Sequence, residues 1–321
     1  MKKVFDEIEL LIDDALSTTL EYLPTKLVPN VEDSQLTFGF GGAKKGKIIN
    51  TCVLYVDIRN SVGLIKKHQF NTMGKIYSAF TTIVLKIAQN HNANIRNIIG
   101  DRVMLVFPEE NCATNAVNAA ISINHAAQLL DQKYAAVDFK CGIGIDFGEM
   151  RILKVGIKKP GTENYDNKNL VWVGYPANHA SRLTDIAHKT IENTEIIVKL
   201  KRWNLAKYLP SASALSSFGL KSTDEYIFEE KTVSEKIFMN QMSIDKNGKM
   251  RFQFSEVIEY KRIDKPTIFP PILMTKKVFD TYKTNNSSCN TITEKFWRKI
   301  DFDFSEIGQD VFGGDVIQEL N

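Results

Sequence analysis

Short apolar runs rich in β-branched and aromatic residues alternate with longer stretches of helical periodicity through the middle of the chain. The run TCVLYVDI (51–58) is apolar almost throughout and is bounded by polar residues, which predicts a buried central strand. Between Phe70 and Ile87, apolar residues recur every three or four positions, which predicts an amphipathic helix. The other predicted elements follow in order: a hairpin over 93–107 with its turn at Gly100-Asp101, a helix over 113–130, a hairpin over 137–156 turning near Gly148, a strand over 170–174 and a helix that begins at Pro176.

This order of strands, hairpins and helices predicts an α+β sandwich and not a Rossmann fold, because hairpins make antiparallel pairs. From about residue 235 the pattern changes: a hairpin turning at Asn247-Gly248 precedes a tail interrupted by Pro and Asn. We therefore predict an N-terminal helix and linker (1–47), a central domain (48–235) and a C-terminal extension (236–321).

The N-terminal stretch MKKVFDEIELLIDDAL places Val4, Ile8, Leu11 and Ala15 at helical spacing, with acidic residues between them. This pattern predicts an amphipathic helix and not a signal peptide, which needs an uninterrupted apolar centre. No apolar run approaches the length of a membrane span, so we expect a cytoplasmic protein without direct membrane insertion.

Composition narrows the choice of partners. The 321 residues include 41 Lys and Arg against 38 Asp and Glu, a net charge of +3, which does not favour nucleic acid or an anionic membrane. The four cysteines have neither C-x-x-C nor zinc spacing, and Cys52 and Cys141 lie in apolar, strand-like runs. We expect buried free thiols in a reducing compartment.

The stretch GGAKKGKI (41–48) is close to a phosphate-binding loop but has Ile48 where a Ser or Thr should bind the metal. A phosphate loop leaves a strand and opens a helix, so that backbone N–H groups converge on the phosphates. This stretch instead leaves a linker and enters a strand, and we interpret it as a flexible connector.

Two carboxylates are candidates for metal binding. Asp57 closes the apolar strand at 51–58, and Asp101 lies at the turn of the next hairpin. Each alone is typical of a turn or a helix cap, but two carboxylates together with substrate phosphates can hold Mg²⁺ or Mn²⁺.

Asn178 and Arg182 lie four positions apart and hence on one face of the predicted helix. Arg supplies a fixed charge to a phosphoryl group, and Asn can orient a ribose or a phosphate. Alone, such a pair is more typical of a solvated helix face than of a site.

Four blocks in the chain resemble the signature blocks of class III nucleotide cyclases in order and spacing: VLYVDIRNSVGL, IRNIIGDRVMLVF, CGIGIDFGEM and VWVGYPANHASRL. The resemblance covers about residues 48 to 190. It implies a ferredoxin-like sandwich that forms a head-to-tail homodimer with active sites at the interface. It further implies that Asp57, Asp101 and the carbonyl of Ile58 hold two Mn²⁺ or Mg²⁺ ions in each site. Asn178 and Arg182 would come from the partner chain, and the ribose 3′-oxygen of a nucleoside triphosphate would attack the α-phosphorus.

The positions that select a purine in this family differ here. Asn97 replaces the Lys or Glu that recognises adenine or guanine, and Val171 with Trp172 occupies the position of a second base-binding acid. Tyr55 lies two positions before Asp57, on the same strand face, so its ring can narrow the base pocket towards a pyrimidine. The alternative is that Tyr55 is a core aromatic.

This combination resembles the bacterial pyrimidine cyclases of the Pycsar anti-phage systems, which make cyclic UMP or cyclic CMP as an alarm signal for a separate effector protein. UTP is the favoured substrate. CTP is the alternative, because the amide of Asn97 can rotate to donate or accept and so serve either base. Arg59 would bind the triphosphate. A purine cyclase, a catalytically silent nucleotide-binding module and a partner-binding protein that acts through residues 236–321 stay open as other interpretations.

Overall fold

A computed structural model of the chain describes residues 1–134, 137–156, 168–204 and 225–318. It divides into two units: residues 1–189 with 269–321, and residues 190–268. This division differs from the predicted boundary at residue 235. One physical reason is that the strand Thr190–Trp203 pairs with Ser255–Ile268, which places residues before 235 in the second unit. The other is that a strand at Ile272–Thr275 pairs with the strand at Cys141–Gly156, so residues after 268 complete the sheet of the first unit.

The first unit contains a mixed sheet of nine strands, among the residues described, and the helices that accompany it. Its elements are α1 (Lys2–Ser17), β1 (Leu20–Pro24), β2 (Lys44–Ile58), α2 (Ser61–Lys67), α3 (Phe70–Asn90), β3 (Asn94–Ile99), β4 (Arg102–Val106), α4 (Cys112–Lys133), β5 (Cys141–Gly156), β6 (Lys168–Val173), α5 (Tyr175–Ile186), β12 (Ile272–Thr275), α7 (Lys276–Asn285), α8 (Asn290–Thr293), β13 (Arg298–Lys299) and β14 (Val311–Gly314).

The centre of this sheet has the order β5-β2-β4-β3, and all three neighbouring pairs are antiparallel. With α3 between β2 and β3, and α4 between β4 and β5, this is the β-α-β-β-α-β arrangement of ferredoxin-like folds. The predicted α+β, ferredoxin-like fold is therefore confirmed. Strand β12 then extends the sheet beyond β5, and β14 and β13 follow it.

The alternation of side chains along β2 separates two apolar layers. Cys52, Leu54 and Val56 point towards α3 and α4 in the larger core cluster. Val53 points to the opposite face, where the smaller cluster includes Ala180 of α5. Residues 53, 55 and 57 share that second face, so Asp57 lies on the side of the sheet that α5 crosses.

Two glycines of β5 allow α5 to lie close to the sheet. A Cβ on Gly142 would be 2.6 Å from the carbonyl oxygen of Ala187, and one on Gly144 would be 2.5 Å from the amide nitrogen of Thr184. The Thr184 hydroxyl donates to the carbonyl of Tyr55 at 3.1 Å, which fixes the helix to β2. Side chains larger than hydrogen at these two positions would move α5 off the strand that carries Asp57.

The second unit is a five-stranded sheet, among the described residues, with strand order β8-β7-β11-β10-β9. The predicted hairpin is present: β9 and β10 are antiparallel, and Gly248 between them has φ +76°, a conformation that favours glycine. The elements of this unit are β7 (Thr190–Trp203), β8 (Tyr226–Ser234), α6 (Glu235–Gln241), β9 (Met242–Ile244), β10 (Met250–Phe252) and β11 (Ser255–Ile268).

Two local predictions were wrong. Residues 141–156 form one strand and not a hairpin at Gly148, because β5 pairs with β2 without a break from Ile58 to Lys47. The glycine instead lies under α5, where a Cβ would be 3.2 Å from the ring of Pro176. Likewise, the second half of GGAKKGKI is not a connector but the start of β2, which pairs with β1.

Lys47, the candidate phosphate-binding lysine of GGAKKGKI, is buried, and its Nζ lies 2.6 Å from Asp33 Oδ2. It therefore has a structural partner within the chain. Among the described residues, no helix combines the length and the apolar character that crossing a bilayer requires.

Candidate active site

The carboxylates of Asp57 and Asp101 meet at one edge of the central sheet. Asp57 is the penultimate residue of β2, and β2 pairs with β4 so that Val56 lies opposite Val103. Asp101 precedes β4 in the turn that follows Gly100, whose φ of +61° closes the hairpin. Strand pairing alone thus brings the two acidic residues together, as the sequence predicted.

The surroundings of Asp101 disfavour its ionised form. Burial raises the pKa of Asp101, and the negative charge of Asp57 raises it further, while a hydrogen bond from Ser61 acts in the opposite direction. Asp101 Oδ2 is buried and has no hydrogen-bond partner among the residues described. The unpartnered oxygen of Asp101 and the neighbouring carboxylate of Asp57 are both hard oxygen donors, and they lie close together.

Two arginines balance the charge of Asp57. Arg102 Nη2 lies 2.8 Å from Asp57 Oδ2, and Arg59 Nη2 lies 3.3 Å from the same atom. Arg102 also reaches α5, where Nη1 donates to Ser181 Oγ at 3.0 Å and Nη2 pairs with Asp185. Arg102 therefore joins the end of β2 to the helix that crosses it.

Arg59, predicted to bind a triphosphate, is only 7% exposed, and its guanidinium points inward. It donates to the carbonyls of Asp57 and Asp185, and it lies over the bare Cα of Gly142. Burial lowers the pKa of Arg59, and the adjacent Asp57 counteracts this effect. These contacts show that Arg59 holds Asp57 in position. The role of Arg59 in triphosphate binding stays a prediction.

These residues fit a divalent cation such as Mg²⁺ or Mn²⁺. Such ions take oxygen ligands and are commonly held by one or two carboxylates together with substrate phosphates. Asp57 and Asp101 supply the carboxylates. The buried Oδ2 of Asp101 has no hydrogen-bond partner among the described residues, so a bound cation would offset the cost of its burial. No cluster of three or more His, Cys, Asp or Glu residues exists among those described, so a complete shell would need ligands from outside the carboxylate pair. Ile58, whose carbonyl was predicted as a ligand, is the buried last residue of β2.

Asn178 and Arg182 lie on the surface of α5. Both side chains are exposed, and Arg182 pairs with Glu306 of the same chain. Ser181 and Asp185, which contact Arg102, lie on the adjoining face of the helix. Asn178 and Arg182 are thus presented to solvent and not to the Asp57 carboxylate of their own chain.

Tyr55 and Asn97 are in the same row of the sheet. Met104 on β4 lies directly opposite both Tyr55 on β2 and Asn97 on β3. Directly opposite side chains share one face, so the phenol and the amide flank Met104, with their strands about 10 Å apart. The Tyr55 hydroxyl lies 3.2 Å from the sulfur of Met104, which fixes the direction of the ring.

Trp172, the other predicted base-contacting residue, belongs to a different row. It lies opposite Ile152 on β5, which pairs with Lys47, eight positions before Tyr55 on β2. The guanidinium carbon of Arg96 is 5.9 Å from the centre of its ring. Tyr55 and Trp172 both pack against the smaller apolar cluster, but within one chain Tyr55 shares a row with Asn97 and Trp172 does not.

No protein-family model matches the chain. "Uridylate cyclase" from Burkholderia cepacia is 28% identical over 190 residues, which cover 57% of this chain and 78% of that protein. "Uridylate cyclase" from Gulbenkiania mobilis is 27% identical over 212 residues, with 62% and 78% covered. The resemblance to nucleotide cyclases is confirmed.

Solved structures of nucleotide cyclases are more distant. The adenylyl cyclase CyaB from P. aeruginosa has a TM-score of 0.44 and 13% sequence identity, covering 83% of this chain and 94% of that one. So remote a similarity says nothing about substrate or mechanism.

Proposed function

We propose that the chain is a pyrimidine nucleotide cyclase that converts UTP into 3′,5′-cyclic UMP and pyrophosphate. The observation that carries this proposal is the meeting of Asp57 and Asp101 at adjacent strand ends, with one carboxylate oxygen buried and unpartnered. The similarity to proteins named uridylate cyclase supports the reaction type and the choice of UTP.

The reaction is an intramolecular transfer at phosphorus. The ribose 3′-oxygen loses its proton and forms a bond to the α-phosphorus, while the bond from that phosphorus to the bridging oxygen breaks and pyrophosphate leaves. Two Mn²⁺ or Mg²⁺ ions held by Asp57, Asp101 and the Ile58 carbonyl would supply Lewis acidity at the reacting oxygens. Arg59 and Arg102 keep the Asp57 carboxylate in place between them.

Asn178 and Arg182 would act on the site of a second protomer, in a homodimer. Their exposure on α5 supports this arrangement, because in their own chain they face solvent. The Arg182 guanidinium would stabilise negative charge that grows on the phosphoryl oxygens, and the Asn178 amide would orient the nucleotide. A site shared between two chains makes each inactive without its partner.

Tyr55 and Asn97 would bind the base. The Tyr55 ring would narrow the space for a two-ring purine, and the Asn97 amide can both donate to and accept from a pyrimidine edge. The shared row of Tyr55 and Asn97 supports this assignment. Because an amide can also serve cytosine, CTP with cyclic CMP as product is the second candidate. By the resemblance to Pycsar cyclases, the product would be a cytoplasmic second messenger in anti-phage defence, sensed by a separate effector protein.

The substrate experiment incubates the purified chain with each of ATP, GTP, CTP and UTP in the presence of Mn²⁺, and identifies products by liquid chromatography and mass spectrometry. We expect cyclic UMP as the main product. Cyclic CMP, cyclic AMP or cyclic GMP as the main product would overturn the UTP assignment. Absence of any cyclic product, with binding intact, would instead indicate a silent nucleotide-binding module.

The site is tested with Asp57→Asn and Asp101→Asn, which should each reduce turnover roughly a hundredfold or more. Asp280→Asn is the matched control, because Asp280 is an exposed acid paired with Lys276 on α7. Mixing inactive Asp57→Asn with inactive Arg182→Ala should restore about a quarter of wild-type turnover, since half of the dimers are then mixed and have one intact site. No restoration would contradict a site built from two chains.

A further inference from the structure

Helix α1 has an apolar face that nothing in the described chain covers. None of its residues is buried, and Phe5 is 59% exposed, Leu11 50% and Leu16 82%. At 100° per residue, seven apolar side chains fall within an arc of about 140°. They are Val4, Phe5, Ile8, Leu11, Ile12, Ala15 and Leu16.

The helix is held to its unit by Asp14, which lies outside the apolar arc. Asp14 accepts a hydrogen bond from the backbone N–H of Gly41 at 2.6 Å and pairs with Lys44 Nζ at 2.6 Å. On the helical wheel Asp14 lies about 120° from Ile8, the centre of the apolar arc. The contacts that anchor α1 therefore leave its apolar arc directed away from the anchoring residues.

The charges of α1 oppose its own helix dipole. Lys2 and Lys3 lie at the N-terminal end, where a helix favours acids, and Asp13 and Asp14 lie in the last turn, where it favours bases. A helix of 16 residues with no buried side chain is also marginal in water. A partner that covers the arc would stabilise the helix, and acidic groups brought to Lys2 and Lys3 would offset the unfavourable interaction of these lysines with the helix dipole.

The positions of these charges specify the partner's direction. On the wheel, Lys2, Glu9 and Asp13 lie on one flank of the arc, while Lys3, Glu7 and Asp14 lie on the other. In an antiparallel pair, each flank of one helix lies against the corresponding flank of the other, which runs in the opposite direction. Lys2 near one end therefore lies against Asp13 of the partner. In a parallel pair Lys2 would meet Lys3 and Asp13 would meet Asp14, so both ends would repel.

We infer that α1 pairs with α1 of a second copy of this chain, antiparallel and centred on Ile8. The pairing buries the apolar arc on both helices and matches Lys2 with the partner's Asp13 at both ends, whereas Glu7 and Glu9 each face their own counterpart near the centre. A parallel pair would bring like charges together at all of these positions. It is a contact separate from the proposed nucleotide site, and its test needs no turnover. Glu7 and Glu9, which border the arc, and Asp6 behind it disfavour an anionic membrane as the occupant.

Cysteine cross-linking tests the direction and centre of the pair in the full chain. The Ile8→Cys variant should form a disulfide-linked dimer on mild oxidation, because residues at the centre of an antiparallel pair lie close together. The Leu16→Cys variant should not, since its two copies would be about 24 Å apart along the helix axes. Wild type is oxidised in parallel, as Cys289 is half-buried and Cys52, Cys112 and Cys141 are buried.

Sedimentation measures what the contact contributes to association. Ile8→Asp should raise the dissociation constant of the dimer at least about tenfold, because it places two carboxylates where two apolar side chains meet. Leu10→Asp is the matched control: Leu10 is also exposed (58%) but lies outside the arc, and we expect no change. Lys2→Glu should weaken the dimer, and Lys2→Glu with Asp13→Lys should restore it.

Several results would overturn the inference. Equal cross-linking of Ile8→Cys and Leu16→Cys would indicate a parallel pair, and absence of cross-linking would exclude this contact. Equal dissociation constants for Ile8→Asp and Leu10→Asp would show that the arc contributes nothing. Binding of the wild-type chain to phosphatidylcholine–phosphatidylglycerol vesicles, with no cross-link at Ile8→Cys, would assign the face to a membrane instead.

Discussion

Arg102 Nη2 lies 2.8 Å from Asp57 Oδ2, so a candidate metal ligand is already paired with a cation of its own chain. Through Ser181 and Asp185 the same guanidinium also holds α5. Arg102 therefore has two effects: it stabilises the packing of α5, and it offsets the negative charge that would attract a divalent ion.

The variant Arg102→Met separates these effects. Loss of the charged hydrogen bonds should lower the free energy of unfolding by about 1–3 kcal/mol, measured by urea titration without divalent ions. Mn²⁺ should bind more tightly by calorimetry, because Asp57 then has only Arg59 beside it. In Arg151→Met, which loses an exposed pair with Glu149, stability should stay within about 0.5 kcal/mol. Equal losses in the free energy of unfolding for Arg102→Met and Arg151→Met would show that Arg102 does not stabilise the packing of α5.

The partly buried pair of Lys47 and Asp33 predicts a pH-dependent contribution to stability. Burial raises the pKa of Asp33, but hydrogen bonds from Lys47 and the Gln35 backbone, with the charges of Lys47 and Lys154, together outweigh it, so the pKa is lowered from 3.8. A lowered folded-state pKa stabilises the protein above pH 3.8, and this contribution is lost as the pH falls through the folded-state value.

Asp33→Asn should therefore lower the free energy of unfolding at pH 7 by about 1–3 kcal/mol. The difference from wild type should shrink below pH 3.8, as urea titrations at pH 7 and near pH 3 would show. The control Asp280→Asn breaks an exposed i,i+4 pair with Lys276. Its free energy of unfolding should differ from wild type by no more than about 0.5 kcal/mol at either pH. A difference for Asp33→Asn that is the same at both pH values would contradict the charge-based explanation.

Tyr55 offers a test of base selection. Tyr55→Ala removes the ring from the row that contains Asn97 and should lower the ratio of kcat/KM for UTP to that for ATP by roughly 10- to 100-fold. Tyr55→Phe retains the ring and loses only the hydroxyl contact with Met104, so its ratio should stay near that of wild type. If alanine leaves the ratio unchanged, Tyr55 is a core aromatic and not a selector.

Glu306 holds Arg182 within its own chain, and a guanidinium that acts on a partner's substrate must leave this pair. The pair is exposed, with 52% and 76% of the two side chains accessible, and such pairs contribute up to about 1 kcal/mol. Glu306→Gln should therefore raise kcat/KM by no more than about fivefold, in initial-rate assays with UTP. Glu259→Gln, which breaks an exposed pair with Lys199, is the control and should have no effect. A fall in kcat/KM for Glu306→Gln would indicate that Glu306 orients Arg182 for its task.

The sequence predicted those elements whose pattern is local. Strand β2, helix α3 and the turn at Gly100 follow from apolar periodicity and turn chemistry, and the strand order then brings Asp57 to Asp101. It failed at Gly148, because a glycine required for close approach of a helix has the same local signature as a glycine in a turn.

Contacts between residues distant in the chain were not predictable in the same way. Arg102 was visible directly after Asp101, but its link to Asp185 depends on how α5 crosses the sheet, 83 residues later. Similarly, nothing local indicated that β12 would pair with β5, since a short apolar strand can join any open sheet edge. The boundary placed at residue 235 differs from the observed division for this reason.

The bare Cα of Gly144 has a mechanical consequence. At this glycine of β5, the backbone of the strand lies directly against the backbone of α5 at Ala180 and Thr184. No side chain separates the two, so the close contact restricts how α5 can shift or tilt against the strand. The spacing between the Asp57 end of the sheet and the backbone of α5 is therefore set within each folded protomer, and rotation of the Arg182 side chain is what can still bring its guanidinium to a substrate. One methyl group added at position 144 would displace α5 and with it the starting position of that side chain.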